Sequence, residues 1–192
     1  MANNVDIIRE KKAEIRKEII RRLREQDSSL KEERSRIIQE KLLSSEEFRS
    51  SKTVMTYVSL PTEVSTSYLN QEALKRGKRV AVPYIKGNSQ TIIASELIAI
   101  NSLEKGPYGI PQPKKDLIKA IPLKEIDLIV VPAIAYDKKN MRLGRGKGYY
   151  DKFLTEKDLS LVKTIGLAFN FQVLESLPSD PHDRPVSRVI TD

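Results

Sequence analysis

The chain has no cysteine and a single histidine, and each shortage removes whole classes of chemistry. Without cysteine there are no disulfides, no thiolate zinc sites and no cysteine nucleophile. One histidine cannot supply a metal-binding histidine pair, and no Ser-His-Asp set is expected from it, so hydrolytic triads are set aside. Long apolar runs are also missing. The longest, Leu128 to Ala135, is too short to span a bilayer and contains Pro132. The opening MANNVDII holds no apolar run of signal-peptide length, so the expectation is a soluble, cytoplasmic protein with no membrane partner. No internal repeat, low-complexity tract or interdomain linker is visible. A chain of 192 residues, 39% of them hydrophobic, can bury one sizeable core, and residues 1–192 are read as one domain.

Charge is what the chain has in excess, +8 overall, and its placement matters more than its total. Residues 1–50 carry 13 basic and 11 acidic side chains, an interleaved helical surface rather than a basic stripe. Residues 138–152 carry Lys138, Lys139, Arg142, Arg145, Lys147 and Lys152 against Asp151 alone. Within that stretch RLGRGKGYYD sets Gly144, Gly146 and Gly148 at alternate positions. It fits neither G-x-G-x-x-G, which would need glycine at Tyr149, nor the P-loop, which would need glycine at Met141 and Ser or Thr at Gly148. The physics of both motifs still applies. Glycines let backbone N–H groups approach a ligand, and clustered N–H groups beside cations form an anion-binding concavity. A mobile basic surface loop is the plainer reading. Charge focused this tightly suits a small polyanion better than nucleic acid, whose partners spread cations over a longer surface.

Periodicity predicts an amphipathic helix over 5–25 with Ile8, Ile15, Ile19 and Leu23 on one stripe. Lys12 falls inside that stripe and Arg16 on its border, an anomaly that snorkelling or an anion held between helix and sheet would resolve. Ser29 with Glu32 reads as a capping box opening a helix to about Leu43, and Ser44 with Glu47 as a further turn leading to Phe48. TVMTYV (53–58), KRVAVPYI, VKTIGLAF and RVITD read as strands, TIIASELIAI as a strand in part, and STSYLNQEALKRG as a helix stopped by Gly77. PYGIPQP is a turn-rich connection, and DLIVVPAIAY reads as one strand covered on both faces. Alternating strands and helices imply an α/β fold with a largely parallel sheet. Ligands of such folds gather outside the carboxyl ends of the strands, where the glycine loop lies.

TYVSLPTEVST, PYGIPQP, DLIVVPAIAYDKKNMRLGRGKGYYDKFL, IGLAFNFQVLESLP and HDRPVSRVI together resemble the 5-formyltetrahydrofolate cyclo-ligase (5,10-methenyltetrahydrofolate synthetase) family, from about Lys12 to the C-terminus. The resemblance implies a three-layer α/β/α sandwich like that of the sugar-phosphate isomerase and CoA-transferase group. It implies an ATP- and Mg²⁺-dependent ligase that closes 5-formyltetrahydrofolate to 5,10-methenyltetrahydrofolate with release of ADP and phosphate. Carried onto matching positions, it places ATP against Lys12, Ala13, Glu14, Ile15 and Arg16. It also places ATP against Arg142, Leu143, Gly144, Arg145, Gly146, Lys147, Gly148, Tyr149 and Tyr150. Folate falls near Val58, Glu63 and the stretch Arg145, Gly146, Lys147, Gly148, Tyr149, and magnesium at Asp151 and Asp183. Arg145 and Lys147 take the catalytic role of stabilising the transferring phosphoryl group. The implied partners are these two small molecules, without nucleic acid, and the implied state is a monomer. Where relatives commonly carry an acidic residue, this chain has Ser187. Three side chains keep plainer alternatives: Glu63 as an exposed turn carboxylate, Val58 as core, and Tyr108 as simple packing instead of a stack on the folate. His182 is expected to shape its loop or face solvent, and Asp137 to serve a turn. A nucleic-acid-binding module or a kinase-like ATPase with another acceptor would use the same cations.

Overall fold

The computed structural model describes residues 4–86, 89, 91–180 and 183–192. In chain order the elements are α1 (Asn4–Glu25), α2 (Ser28–Leu43), α3 (Glu46–Ser50), β1 (Thr53–Met55), α4 (Ser67–Lys75), β2 (Arg79–Ile85) and β3 (Ile92–Glu96). Then follow β4 (Leu103–Lys105), β5 (Pro111–Pro113), β6 (Leu128–Val131), β7 (Ala135–Asp137), β8 (Arg142–Leu143), α5 (Tyr149–Phe153), β9 (Lys163–Leu167), β10 (Val173–Leu174) and β11 (Arg188–Ile190). The main sheet has the order β11-β9-β6-β1-β2-β3. Every neighbouring pair in it is parallel except β2 with β3, so the fold is mixed α/β with a mostly parallel central sheet.

Strand side chains alternate between the two faces, and each face builds its own core. Val54, Val80, Val82, Leu128, Val130, Ile165 and Leu167 point toward α1, α2 and α4, meeting Ile19, Leu23, Ile38, Leu42 and Leu69. Met55, Ala81, Ile129 and Val131 point the other way, to Phe153 of α5, Leu159, Ile121 and Ile126. Long helices cover the first face, while among the described residues the second carries the five-residue α5 and short 3₁₀ turns.

Several local expectations change. The cap of α2 is Asp27, whose carboxylate accepts from the Ser29 and Leu30 amides, in place of the Ser29 box. A carboxylate two residues earlier is the better acceptor for the helix's first free N–H groups. Ser45, not Ser44, caps α3 by accepting from the Phe48 amide. The run 53–58 keeps only three residues as strand. DLIVVPAIAY is two strands, because Pro132 cannot donate to a ladder and the chain leaves the sheet there. Its second half, β7, joins β8 and β10 in a separate three-stranded sheet. PYGIPQP contributes a strand, since β5 pairs antiparallel with β4.

Candidate active site

The carboxyl ends of β1, β2 and β6 open onto a cavity of about 320 Å³. Its walls come from four places: Lys12 and Arg16 of α1, the 57–63 turn after β1, Tyr108 and Ile110 between β4 and β5, and the loop running from Arg142 to Asp151. Pro83, Ile85, Ile92 and Ala133 add an apolar wall. The volume sits at the lower end of the range of ligand pockets, roughly 300–1,000 Å³.

The glycine loop holds its shape by unusual backbone angles. Gly146 (φ 88°) and Gly148 (φ 71°) lie in the left-handed region that other residues enter only at a cost. Gly148 caps α5, and the Gly144 carbonyl accepts from Arg16 Nε at 2.9 Å. Behind the loop, Asp137 is buried. Its Oδ1 accepts from the Lys139 and Met141 amides and its Oδ2 from Leu177, so the expected turn role extends to tying two loops together.

The 57–63 turn is stapled from below. Thr66 Oγ1 donates to the Tyr57 carbonyl at 2.6 Å, Asn70 Nδ2 to the same oxygen at 3.2 Å, and Tyr57 Oη to the Val64 carbonyl at 3.1 Å. Lys31 of α2 donates to the Pro61 carbonyl. On this turn Glu63 is buried, not an exposed carboxylate. Its Oε2 accepts from the Leu60 amide at 2.8 Å, and its Oε1 receives Arg145 Nε and Nη2 at 3.1 and 3.0 Å. Arg145 also reaches Thr62 Oγ1 at 2.8 Å. Val58 lines the cavity and packs against the main core as well.

Lys12 resolves its anomaly in a third way, by pairing within the chain. Only 8% exposed, it places its ammonium 2.5 Å from Asp180 Oδ2 and 2.6 Å from Asp183 Oδ2. Burial alone would lower its pKa, but the two hydrogen-bonded aspartates more than reverse this and raise it. Burial lowers the Arg16 value, with Asp183 and Asp151 opposing. Of the other α1 positions, Ala13 and Glu14 face solvent and Ile15 packs on the core, so from 12–16 only Lys12 and Arg16 reach the cavity.

Arg142 is 6% exposed and pairs with Asp151. Its Nε and the buried Tyr150 hydroxyl have no hydrogen-bond partner among the described residues. Both residues line the cavity, and buried polar atoms of this kind call for a ligand or water. Burial raises the Tyr150 phenol well above its ordinary value, the Glu63 charge adds to this, and the group stays neutral. At the rim Tyr108, with φ 58°, meets the Tyr149 ring edge-on, 6.2 Å between centroids, and Lys147 Nζ lies 5.6 Å from the Tyr108 ring. Leu143 is buried beneath.

Asp151 and Asp183 both line the cavity. Among the described residues no group of three or more His, Cys, Asp or Glu could hold a metal, yet this pair fits a magnesium ion in chemistry. Asp151 Oδ1 is taken by Arg142 and Asp183 Oδ2 by Lys12 and the Asp180 amide, while the other oxygen of each accepts nothing among the described residues. Magnesium takes one or two carboxylates and fills its remaining positions with water and phosphate oxygen. Ser187 turns away, bonding Thr164 across β9 and β11. His182 lies outside the described residues.

Sequence reasoning missed Asp180, Thr62 and the apolar wall from β2 and β3. The rule that a buried charge needs a partner pointed to something beside Lys12, but not to a residue 168 positions away.

The 5-formyltetrahydrofolate cyclo-ligase family matches residues 8–192. The mouse 5-formyltetrahydrofolate cyclo-ligase is 30% identical over 186 residues, which is 92% of this chain and 91% of that protein. The Haemophilus influenzae enzyme of the same name is 28% identical, covering 94% of this chain and 97% of its own. The solved structure of Aquifex aeolicus 5,10-methenyltetrahydrofolate synthetase superposes with a TM-score of 0.81 at 32% identity, over 94% of this chain and 89% of that one.

Proposed function

Because this chain belongs to the 5-formyltetrahydrofolate cyclo-ligase family, we propose that the cavity at the carboxyl ends of β1, β2 and β6 closes 5-formyltetrahydrofolate to 5,10-methenyltetrahydrofolate at the expense of ATP. One observation carries the assignment to this cavity. Lys12, Arg16, Arg142, Arg145 and Lys147 converge on it from separate segments, next to an apolar wall and the Tyr108–Tyr149 pair. Cations suit a triphosphate, and apolar and aromatic surface suits a pterin and its attached ring.

A formyl oxygen is a poor leaving group. In the proposed reaction it attacks the γ-phosphorus, the bond to the β–γ bridging oxygen breaks, and ADP leaves. The neighbouring N10 amine then attacks the formyl carbon to close the five-membered ring. The C–O bond breaks, inorganic phosphate departs and the amine proton is lost. Phosphoryl transfer needs positioning and charge neutralisation more than covalent help. Lys147 and Arg145 would hold the transferring oxygens, and the loop amides would line the phosphate path. Asp151 and Asp183 would hold magnesium, which supplies charge neutralisation of the phosphates when bound. Glu63 would orient the folate, and Tyr150 and the Arg142 Nε would donate to a ligand oxygen on the cavity floor.

Three of the five cations are balanced within the chain: Lys12 by Asp180 and Asp183, Arg142 by Asp151, and Arg145 by Glu63. A polyanionic substrate therefore meets paired, oriented charges and exchanges partners with them. A nucleic-acid module would instead spread its cations over an open face. Mixing protein, ATP, Mg²⁺ and 5-formyltetrahydrofolate should produce the near-ultraviolet absorbance of the methenyl product. ATP consumption with a different acceptor, and none with this folate, would overturn the proposal.

A further inference from the structure

Lys12 is held by two carboxylates where one would neutralise it. Asp180 and Asp183 are tied to each other, since the Asp183 amide donates to the Asp180 carbonyl at 3.0 Å and the Asp180 amide to Asp183 Oδ2 at 2.8 Å. Their roles at the cavity differ, since Asp183 and Lys12 line it and Asp180 does not. The Asp180 side chain is 35% exposed and that of Asp183 18%. The Asp180 carboxylate thus acts on the cavity through the lysine, while its backbone amide holds Asp183.

The arrangement has a consequence once Asp183 serves a divalent cation. An ammonium group and a metal ion repel each other, and both would draw on the same carboxylate. A lysine with no second partner would be left as an unpaired cation in the apolar stripe of α1 or would compete with the metal. We propose that Asp180 is a positioning residue. It keeps the Lys12 ammonium against the cavity wall while Asp183 turns its charge to magnesium, so that both cations face the phosphates together. This inference rests on the reading of Asp183 as a magnesium ligand.

The test is a titration of Mg²⁺ into the protein in the presence of an ATP analogue with an imido β–γ bridge, followed by calorimetry. The set is the wild type, Asp180→Asn, Asp180→Glu, Lys12→Ala and the Lys12→Ala/Asp180→Asn double variant, each checked by thermal unfolding without ligand. Asp180→Asn should raise the magnesium midpoint about fivefold, because Lys12 then leans wholly on Asp183. Asp180→Glu should recover most of that loss. In the Lys12→Ala background the same Asn substitution should move the midpoint less than about twofold, the residue of a screened charge. Equal shifts in both backgrounds would mean that Asp180 contacts the metal itself, and no shift beside an intact Lys12 would mean that it positions nothing; either result overturns the inference. A wild-type protein that binds the analogue without regard to magnesium would instead defeat the magnesium reading, and the inference with it, before any variant is compared.

Discussion

Replacing Glu63 by glutamine separates a folate contact from a strut that merely holds Arg145. One carboxylate oxygen accepts two guanidinium N–H groups at 3.0 and 3.1 Å, and the other accepts the Leu60 amide at 2.8 Å. Glutamine has one carbonyl oxygen, so its NH₂ must face a donor, either the guanidinium or the amide. A hydrogen bond to a charged group contributes about 1.5–3 kcal/mol. The Glu63 side chain is 9% exposed but that of Arg145 is 36% exposed. Solvent screening therefore brings the lost ion pair to about 1 kcal/mol. Adding the misplaced donor, about 1–3 kcal/mol, gives about 2–4 kcal/mol in total. For a chain of 192 residues, at about 2–4 °C per kcal/mol, the unfolding midpoint should fall by roughly 4–16 °C. If Glu63 also orients the folate, kcat/KM for 5-formyltetrahydrofolate should drop by about ten- to a hundredfold, the kinetic equivalent of one charged hydrogen bond, while KM for ATP stays put. A lowered midpoint with reduced turnover but an unchanged KM for the folate would refute the contact and leave Glu63 as a strut for Arg145.

Lys147→Ala should lower turnover even at saturating ATP; a rise in the ATP KM alone would assign Lys147 to ground-state binding. Lys12→Ala and Arg16→Ala should each weaken ATP binding in calorimetry, whereas Lys11→Ala and Lys17→Ala, both exposed, should not. Equal small effects at all four would mean that only the general field of a basic helix is felt. Gly166→Ala should lower the unfolding midpoint by about 2–10 °C through overpacking. Its added carbon would lie 2.6 Å from Tyr136 Cε1 and 2.7 Å from the hydroxyl that donates to the Val131 carbonyl at 2.5 Å. A midpoint within one degree or so, about the effect of a neutral surface change, would show that Tyr136 can move.

The sheet and the glycine loop were legible in the sequence because their signals are local. Buried strands read as apolar runs, and RLGRGKGYYD gathers its glycines and cations within ten residues. Each of the six segments read as strands supplies one strand of the central sheet, and the cavity opens at the carboxyl ends of three of them, where parallel sheets bind ligands. What escaped was set by distance or competition. Pro132 splits an apolar run that periodicity treats as one strand. Asp27 displaces Ser29 as a cap because a charge outbids a hydroxyl for the same N–H groups. The partners of Lys12 and Arg145 lie 168 and 82 positions away in the chain, and no local pattern encodes such pairs. Lys12 and Arg16 stand out locally as cations at an apolar helix stripe and line the cavity, whereas Ala13, Glu14 and Ile15 share their stretch of helix but do not reach it.

The central claim is that the formyl oxygen becomes the phosphate leaving group in this cavity. 5-Formyltetrahydrofolate labelled with ¹⁸O in the formyl group, turned over with unlabelled ATP, should yield inorganic phosphate carrying one atom of the label. Methenyl product formed while the released phosphate stays unlabelled would contradict the account.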